Sequence, residues 1–214
     1  MLKRHIAERA SDLWSRSCLL TLVLLLGACG GGSSAVRYYL IDPVEYPTAE
    51  STGDKGPVVE ILEVHVPQYL ERFHIATRRE SNQLYFADTR QWGENLRKNL
   101  LRTLATNLSE LLGTNDIGTP LNRSMSLPDY RIQVHIEQFE RDSDGIVRLI
   151  ARWQVSGKSN TPLTTLKAEL QAAGPSSEED YDAIVADMQK LFGELSRRIA
   201  ESIRATGAQG DSDA

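Results

Sequence analysis

Apolar and polar residues alternate along three consecutive segments in the second half of the chain. Residues 130–140, 146–157 and 164–173 each place an apolar side chain at nearly every second position. A two-residue period is typical of a β-strand that buries one face. Turn-forming residues separate the segments at Asp142–Gly145 and Asn160–Pro162. The pattern predicts three antiparallel strands joined by short turns.

The first half contains four further strand candidates with less regular patterns. Residues 36–41 and 57–66 are rich in β-branched and aromatic residues. The near-continuous Val, Ile and Leu content of 57–66 predicts a central strand buried on both faces. Residues 73–80 and 83–88 flank a short Ser-Asn turn, which predicts a hairpin.

Two other segments repeat their apolar residues every three or four positions, as an α-helix with one buried face does. In residues 89–113 the repeat is formed by Trp92, Leu96, Leu100, Leu104, Leu108 and Leu111. Asp88 or Thr89 is predicted to cap the start of this helix, and Gly113 its end. A second stripe runs over residues 181–203, with acidic residues at its start and arginines near its end, as the helix dipole favours.

The order of strands, helix, strands and helix predicts an α+β fold. We expect an antiparallel or mixed sheet of about five to seven strands with two long helices packed on one face. The domain is assigned to residues 36–205, and residues 206–214 are assigned to a disordered tail.

The beginning of the chain has a different pattern. Four basic residues precede an uncharged run of eleven residues, 18–28. At ~1.5 Å of rise per residue this run extends roughly 17 Å, well short of the ~30 Å hydrocarbon core of a bilayer. A basic start followed by a short apolar run is typical of a secretory signal peptide, which we assign to residues 1–28.

The four residues Leu26-Gly27-Ala28-Cys29 resemble the bacterial lipobox. That resemblance implies cleavage before Cys29 and attachment of a diacylglyceryl lipid to its thiol. Residues 29–35 would then form the lipidated cysteine and a flexible Gly/Ser tether. Gly30 follows the cysteine in place of the aspartate associated with inner-membrane retention, which favours the outer membrane. The alternative is an ordinary signal-peptidase site beside an uninvolved cysteine.

Charge and cysteine content restrict the partners. Removing residues 1–28 removes four basic and two acidic residues, which shifts the formal net charge from −5 to −7. An acidic chain is a poor match for nucleic acid and for electrostatic adhesion to anionic lipid. Of the two cysteines, Cys18 lies in the segment to be removed, so an intramolecular disulfide is excluded in the mature chain.

The sequence contains no pattern that indicates catalysis, a metal or another cofactor. The histidines of the mature chain are interpreted as solvated or partly packed strand residues: His65, His74 and His135. Acidic clusters at 142–144 and 178–180 already have structural roles in a turn and at a helix start. The pair Arg78-Arg79 is interpreted as a solvated turn rather than as a phosphate site. We therefore predict no catalytic residue and no cofactor beyond the lipid on Cys29.

Four elements together resemble one known family. They are Tyr38-Tyr39-Leu40, the Val64–Leu70 segment (VHVPQYL), the stretch from Leu84-Tyr85 to Trp92-Gly93-Glu94-Asn95-Leu96, and the late trio Tyr181, Val185 and Met188. Their order and spacing are similar to those of the ABC-type transport auxiliary lipoproteins, which include the paraquat-inducible protein C lipoproteins. The sequence departs from the pattern at Gly93, where alanine is commoner.

The resemblance implies a lipid-anchored protein on the periplasmic face of the outer membrane. It would act as the docking component of an MCE/ABC-type system that moves lipids or other hydrophobic compounds, with MCE-domain and ABC-permease proteins as partners. Candidate partner-surface residues are Tyr69, Phe86 and Trp92, and a free edge strand or the hairpin near Ser81 is a further candidate. The alternative, which we favour for Trp92, is that these side chains fill the core.

Two rival functions and one structural question stay open. One rival is a structural envelope-integrity lipoprotein with no transport partner. The other is a periplasmic hydrolase with an unrecognised carboxylate site. The sequence also leaves open whether the chain forms a homo-oligomer.

Overall fold

A computed structural model describes residues 35–46, 56–80, 82–158 and 162–210 of the chain. The described residues from Val36 onward belong to one compact unit. The predicted signal peptide and Cys29 lie outside the described residues, as does Ser81 in the predicted hairpin turn.

The described residues form eight strands and two long helices. In chain order they are β1 (Arg37–Tyr39), β2 (Val59–His65), β3 (His74–Glu80), β4 (Gln83–Trp92), α1 (Leu96–Leu112), β5 (Ile117–Gly118), β6 (Tyr130–Arg141), β7 (Val147–Ser156), β8 (Pro162–Ala172) and α2 (Tyr181–Gly210). A short 3₁₀ helix, Gln68–Glu71, lies between β2 and β3.

All eight strands belong to one mixed sheet. The long strand β6 pairs with antiparallel β7 along its length, while parallel β2 and β3 pair with its first and last parts. β8 extends the sheet beyond β7, and β4 and β1 extend it beyond β3. The predicted α+β class is confirmed, with one strand more than the expected range.

The core lies between the sheet and the two helices. In the first part of β6 every second residue is buried, as the alternation predicts: Ile132, Val134 and Ile136 are fully buried. The α1 stripe of Leu96, Leu100 and Leu104 is also fully buried, and burying each such side chain contributes about 1.5–3 kcal/mol. Within the described ranges, no helix is long and apolar enough to cross a membrane.

The first helix begins later than predicted. Its cap is Asn95, whose side-chain oxygen accepts the backbone N–H of Lys98, instead of Asp88 or Thr89. The preceding residues extend β4 to Trp92 because β1 pairs with them in parallel. The end is as predicted, since Gly113 has a φ of +64°, the left-handed conformation typical of a helix-ending glycine.

Two other predictions differ from the structure. β2 is buried on one face only: Val59, Ile61 and Val64 are buried, while a bulge leaves Leu62 exposed. The second helix continues to Gly210 and so includes five residues that were assigned to a disordered tail.

Candidate functional site: a groove beside the β3–β4 hairpin

Two of the three candidate partner-surface residues line one groove. Its volume is about 550 Å³, and it is bounded by the 3₁₀ helix on one side and β4 on the other. The lining residues are Gln68, Tyr69, Glu71, Arg72, Leu84 and Phe86. We call this feature the Tyr69–Phe86 groove.

The 3₁₀ helix that carries Tyr69 follows directly from the local sequence. Pro67 has no N–H to donate to a strand ladder, so it ends β2, and its carbonyl accepts the N–H of Leu70. Leu70 is buried in the core. Its neighbour Tyr69 is therefore turned toward the groove and is only partly buried.

The β4 side of the groove is formed by Leu84 and Phe86. Phe86 lies opposite Ala76 of β3. The Arg72 guanidinium carbon lies 4.5 Å from the centroid of the Phe86 ring, a cation–π arrangement. The groove thus combines aromatic surface with one exposed positive charge.

A buried carboxylate, that of Glu140, binds the groove residue Tyr69. Glu140 is fully buried, accepts the Tyr69 hydroxyl at 2.7 Å and the Arg78 Nε–H at 2.7 Å, and also accepts the backbone N–H of Phe139 at 3.0 Å. Burial, with the neighbouring Glu140 charge, raises the pKa of Tyr69, so its hydroxyl stays protonated as a donor. The three contacts hold the Glu140 carboxylate in place, and its charge-assisted hydrogen bond orients the Tyr69 hydroxyl.

The remaining candidates are not part of this groove. Trp92 is 2% exposed and belongs to the core, in line with the alternative favoured from the sequence. Cys29 lies outside the described residues. The interpretation of Arg78-Arg79 as a solvated turn holds only for the exposure of Arg79. Both residues lie in β3 and not in the turn: Arg78 binds buried Glu140, while exposed Arg79 lies 3.5 Å from Glu178 and stacks over Tyr85.

A second polar cluster fixes the segment through which the chain enters the domain. The backbone N–H of Ile41 donates to the side-chain oxygen of Asn99 at 2.7 Å, and the Ile41 carbonyl accepts from Asn99 Nδ2 and Thr103 Oγ1. Farther on, the N–H of Val44 donates to Asn107. These contacts join residues 41–44 to α1.

The same cluster reaches the second helix. Asn107 Nδ2 donates to Ser196 Oγ at 3.0 Å, and the Tyr46 hydroxyl donates to the Gly193 carbonyl at 2.8 Å. A side chain at Gly193 would collide with Val44, so the glycine permits this close approach. The entry segment is therefore fastened between both helices.

Sequence reasoning missed both polar clusters. Asn99, Thr103 and Asn107 are spaced four residues apart beside the leucine stripe, and that spacing alone could have indicated a buried polar row. Glu140 gives no comparable signal, because its charge is typical of an exposed strand position.

The sheet face away from the helices is mostly polar. His65 and His135 are opposite each other on β2 and β6, and their rings stack with centroids 4.3 Å apart. His74 Nε2 lies 3.3 Å from the Gln91 amide. Among the residues the structure describes, no three His, Cys, Asp or Glu side chains are grouped to hold a metal ion.

Comparison with known proteins identifies related chains. A model of the family described as the ABC-type transport auxiliary lipoprotein component matches residues 38–200. The intermembrane transport lipoprotein PqiC of Escherichia coli (strain K12) is 22% identical over 188 residues, which cover 87% of this chain and 96% of PqiC.

Two crystal structures share the fold. One, of an uncharacterized protein, has a TM-score of 0.65 and 19% identity, and the match covers 79% of this chain and 99% of that one. The other, of a protein from Xanthomonas campestris, has a TM-score of 0.62 and 14% identity, with 84% and 98% covered. At these identities the two structures support the fold alone.

Proposed function

Since the chain belongs to the family of ABC-type transport auxiliary lipoprotein components, we propose that it is the outer-membrane docking component of an MCE/ABC-type envelope transport system. The cargo would be lipids or other hydrophobic compounds. The observation that carries this proposal is the family match itself, because it spans residues 38–200 and so includes nearly the whole described domain. The relative PqiC is named for intermembrane transport.

The proposed anchor is a lipid on Cys29, facing the periplasm at the outer membrane. Several acyl chains on one cysteine give stable attachment, since each buried methylene contributes ~0.8 kcal/mol. The seven residues 29–35 can extend at most about 25 Å. A pull on this tether would be transmitted through residues 41–46 into α1 and α2, which are joined to that segment by buried and partly buried hydrogen bonds.

The proposed docking surface is the Tyr69–Phe86 groove. Its aromatic walls suit an apolar side chain, and Arg72 suits a neighbouring carboxylate of the partner. Aromatic residues and arginine are the types that dominate interface energetics. The partners we propose are the MCE-domain and ABC-permease proteins of the same system, and the role is non-catalytic.

A genetic test separates this function from that of a structural envelope lipoprotein. If the chain serves the transporter, deleting it and deleting the permease should cause the same envelope-permeability defect. The double deletion should then be no worse than either single one. A defect that adds to the permease defect would instead support a structural role without a transport partner.

A further inference from the structure

Three exposed apolar side chains lie at alternate positions along the edge strand β1 and its flanking residues. Val36, Tyr38 and Leu40 are 40%, 67% and 39% exposed. Alternate residues of an extended chain share one face, so the three form one surface. Among the described strands, β1 pairs with β4 alone and lies at the end of the sheet. We call these three side chains the β1 patch.

The opposite face of the same segment is fixed to the helices. The Arg37 guanidinium and the Tyr39 hydroxyl both donate to the Asp182 carboxylate in the first turn of α2, at 3.2 and 2.8 Å. The backbone of fully buried Ile41 is held by Asn99 of α1. Because residues 37, 39 and 41 are directed toward the helices, the β1 patch is held facing away from them.

The sheet beside the patch carries no carboxylate. Tyr38 aligns with Gln91, and Gln91 aligns with His74, whose Nε2 lies 3.3 Å from the Gln91 amide. Aligned residues of neighbouring strands share a face, so this row contains a phenol, an amide and an imidazole. Although the mature chain is acidic overall, contact of this row with anionic lipid meets no local charge repulsion.

The length of the tether indicates what covers the patch. The β1 patch begins at Val36, which directly follows residues 29–35 and so lies within about 25 Å of the proposed lipid on Cys29. A covalent link of this length keeps the membrane at high effective concentration beside the patch. Tyr38 suits such a surface, because its ring is apolar while its hydroxyl can stay among hydrated headgroups.

We propose that the β1 patch rests on the membrane that carries the lipid anchor, with Val36, Tyr38 and Leu40 in contact with the phospholipid interface. The lipid holds the domain at the membrane, and the patch sets which face of the domain is turned toward it. The contact is shallow, because the free outer edge of β1 has backbone polar groups that need water. This inference rests on the proposed anchor at Cys29.

Tryptophan quenching tests the inference on the lipid-bearing mature protein in vesicles of phosphatidylethanolamine and phosphatidylglycerol. Bromine atoms on the acyl chains quench tryptophan emission only at short range. The native Trp92 and Trp153 are buried, and the wild type measures their contribution. In Tyr38→Trp, the added emission should be mostly lost in brominated vesicles and retained in unbrominated ones.

The matched control is Arg37→Trp. It places the probe in the same strand, one residue closer to the tether, but on the face directed toward α2. Its emission should be quenched much less than that of Tyr38→Trp. Equal quenching of the two probes would overturn the inference. So would an unquenched probe at position 38, the result expected if a protein or a second copy of this chain covered the patch.

A second experiment separates contact by the patch from mere proximity to the tether. Val36→Trp places the probe directly after the tether, and Tyr38→Ser with Leu40→Ser then removes the rest of the patch. The melting temperature should stay nearly unchanged, because both replaced side chains are exposed. Most of the quenching at position 36 should be lost. Unchanged quenching would show that the tether alone brings this residue to the lipid, and would overturn the inference.

These measurements also distinguish the inference from the proposal on which it rests. Wild-type protein that binds the vesicles, while the probe at position 38 stays unquenched, overturns the membrane contact alone and leaves the proposed function intact. Mature protein that carries no lipid on Cys29 and does not bind the vesicles would overturn the proposed anchor and the membrane contact together.

Discussion

At the scale of single residues, the buried carboxylate of Glu140 organises the candidate site. All three of its partners are hydrogen-bond donors: the Tyr69 hydroxyl, the Arg78 guanidinium and the Phe139 N–H. All three donors are satisfied only by a side chain that accepts hydrogen bonds on both of its terminal oxygens. A neutral amide of the same shape would place its own N–H groups against at least one donor.

Glu140→Gln should therefore lower the free energy of unfolding by about 3 kcal/mol, because one partner of a buried ion pair is lost. For a domain of this size, that corresponds to a fall in melting temperature of roughly 6–12 °C. Glu137→Gln is the matched control, since Glu137 pairs with Arg152 on the partly exposed surface of the same strand. It should change the free energy by less than about 1 kcal/mol. Equal melting temperatures for wild type and Glu140→Gln would contradict the assigned role.

A second prediction at this scale concerns pH. The Val58 N–H, with Lys158, holds the pKa of Asp129 below its usual range. A carboxyl with a depressed pKa in the folded state stabilises the fold above its unfolded pKa, about 3.9. That contribution is lost as the pH falls through the lower folded value.

The free energy of unfolding of wild type and Asp129→Asn, measured between pH 7 and pH 2, tests whether the Asp129 charge stabilises the fold at neutral pH. The wild type should be the more stable protein at neutral pH, and the difference should shrink below about pH 4. A difference that stays constant across the whole range would show that the charge of Asp129 is not involved.

Among single residues, the sequence could indicate Tyr69 and Phe86 but not what supports them. Both are aromatic residues in segments that resemble family motifs. The support of Tyr69 depends on β6 reaching the 3₁₀ helix across 71 residues of chain, as the Tyr69–Glu140 contact shows. Local patterns carry no information about such a contact.

At the scale of elements, periodicity predicted the existence of the long strands and helices but not all of their ends. β6, β7 and α1 have patterns that persist over ten residues or more, and the structure confirms them. The start of α1 was predicted too early because the end of β4 pairs in parallel with β1 and therefore stays extended. β2 was misjudged because a bulge at Leu62 breaks its alternation, which made it resemble a strand buried on both faces.

Helix capping offers a test of the observed boundary. Asn95→Ala should lower the free energy of unfolding by about 1 kcal/mol, because the N–H of Lys98 loses its acceptor. Asp88→Ala should have little effect, since Asp88 is an exposed residue within β4. If the Asp88 variant lost more stability than the Asn95 variant in thermal unfolding, the boundary predicted from the sequence would be the correct one.

At the scale of the whole molecule, the proposed anchor at Cys29 is separate from the folded domain. Cys29→Ala should release the protein from the membrane fraction into the soluble periplasm, because the proposed lipid attachment point is lost. The fold should be unchanged, since the compact unit begins at Val36. Cys18→Ala is the matched control: Cys18 lies in the segment predicted to be removed, so this variant should stay with the membrane.

Fractionation followed by circular dichroism of both variants measures the two properties separately. A Cys29→Ala protein that still sediments with the membrane would contradict lipid anchoring at this cysteine. A released but unfolded protein would contradict the separation of anchor and domain.

The central claim is that the domain docks to a transport system, and quantitative co-purification tests it most directly. Wild-type protein isolated from detergent-solubilised envelopes should retain MCE-domain or permease proteins, and Arg72→Glu should lose most of them because it reverses the charge beside Phe86. Lys98→Glu makes the same charge change at an exposed position of α1 and should retain the partners. Recovery of no transport protein with wild type, under conditions that preserve other envelope complexes, would contradict the account.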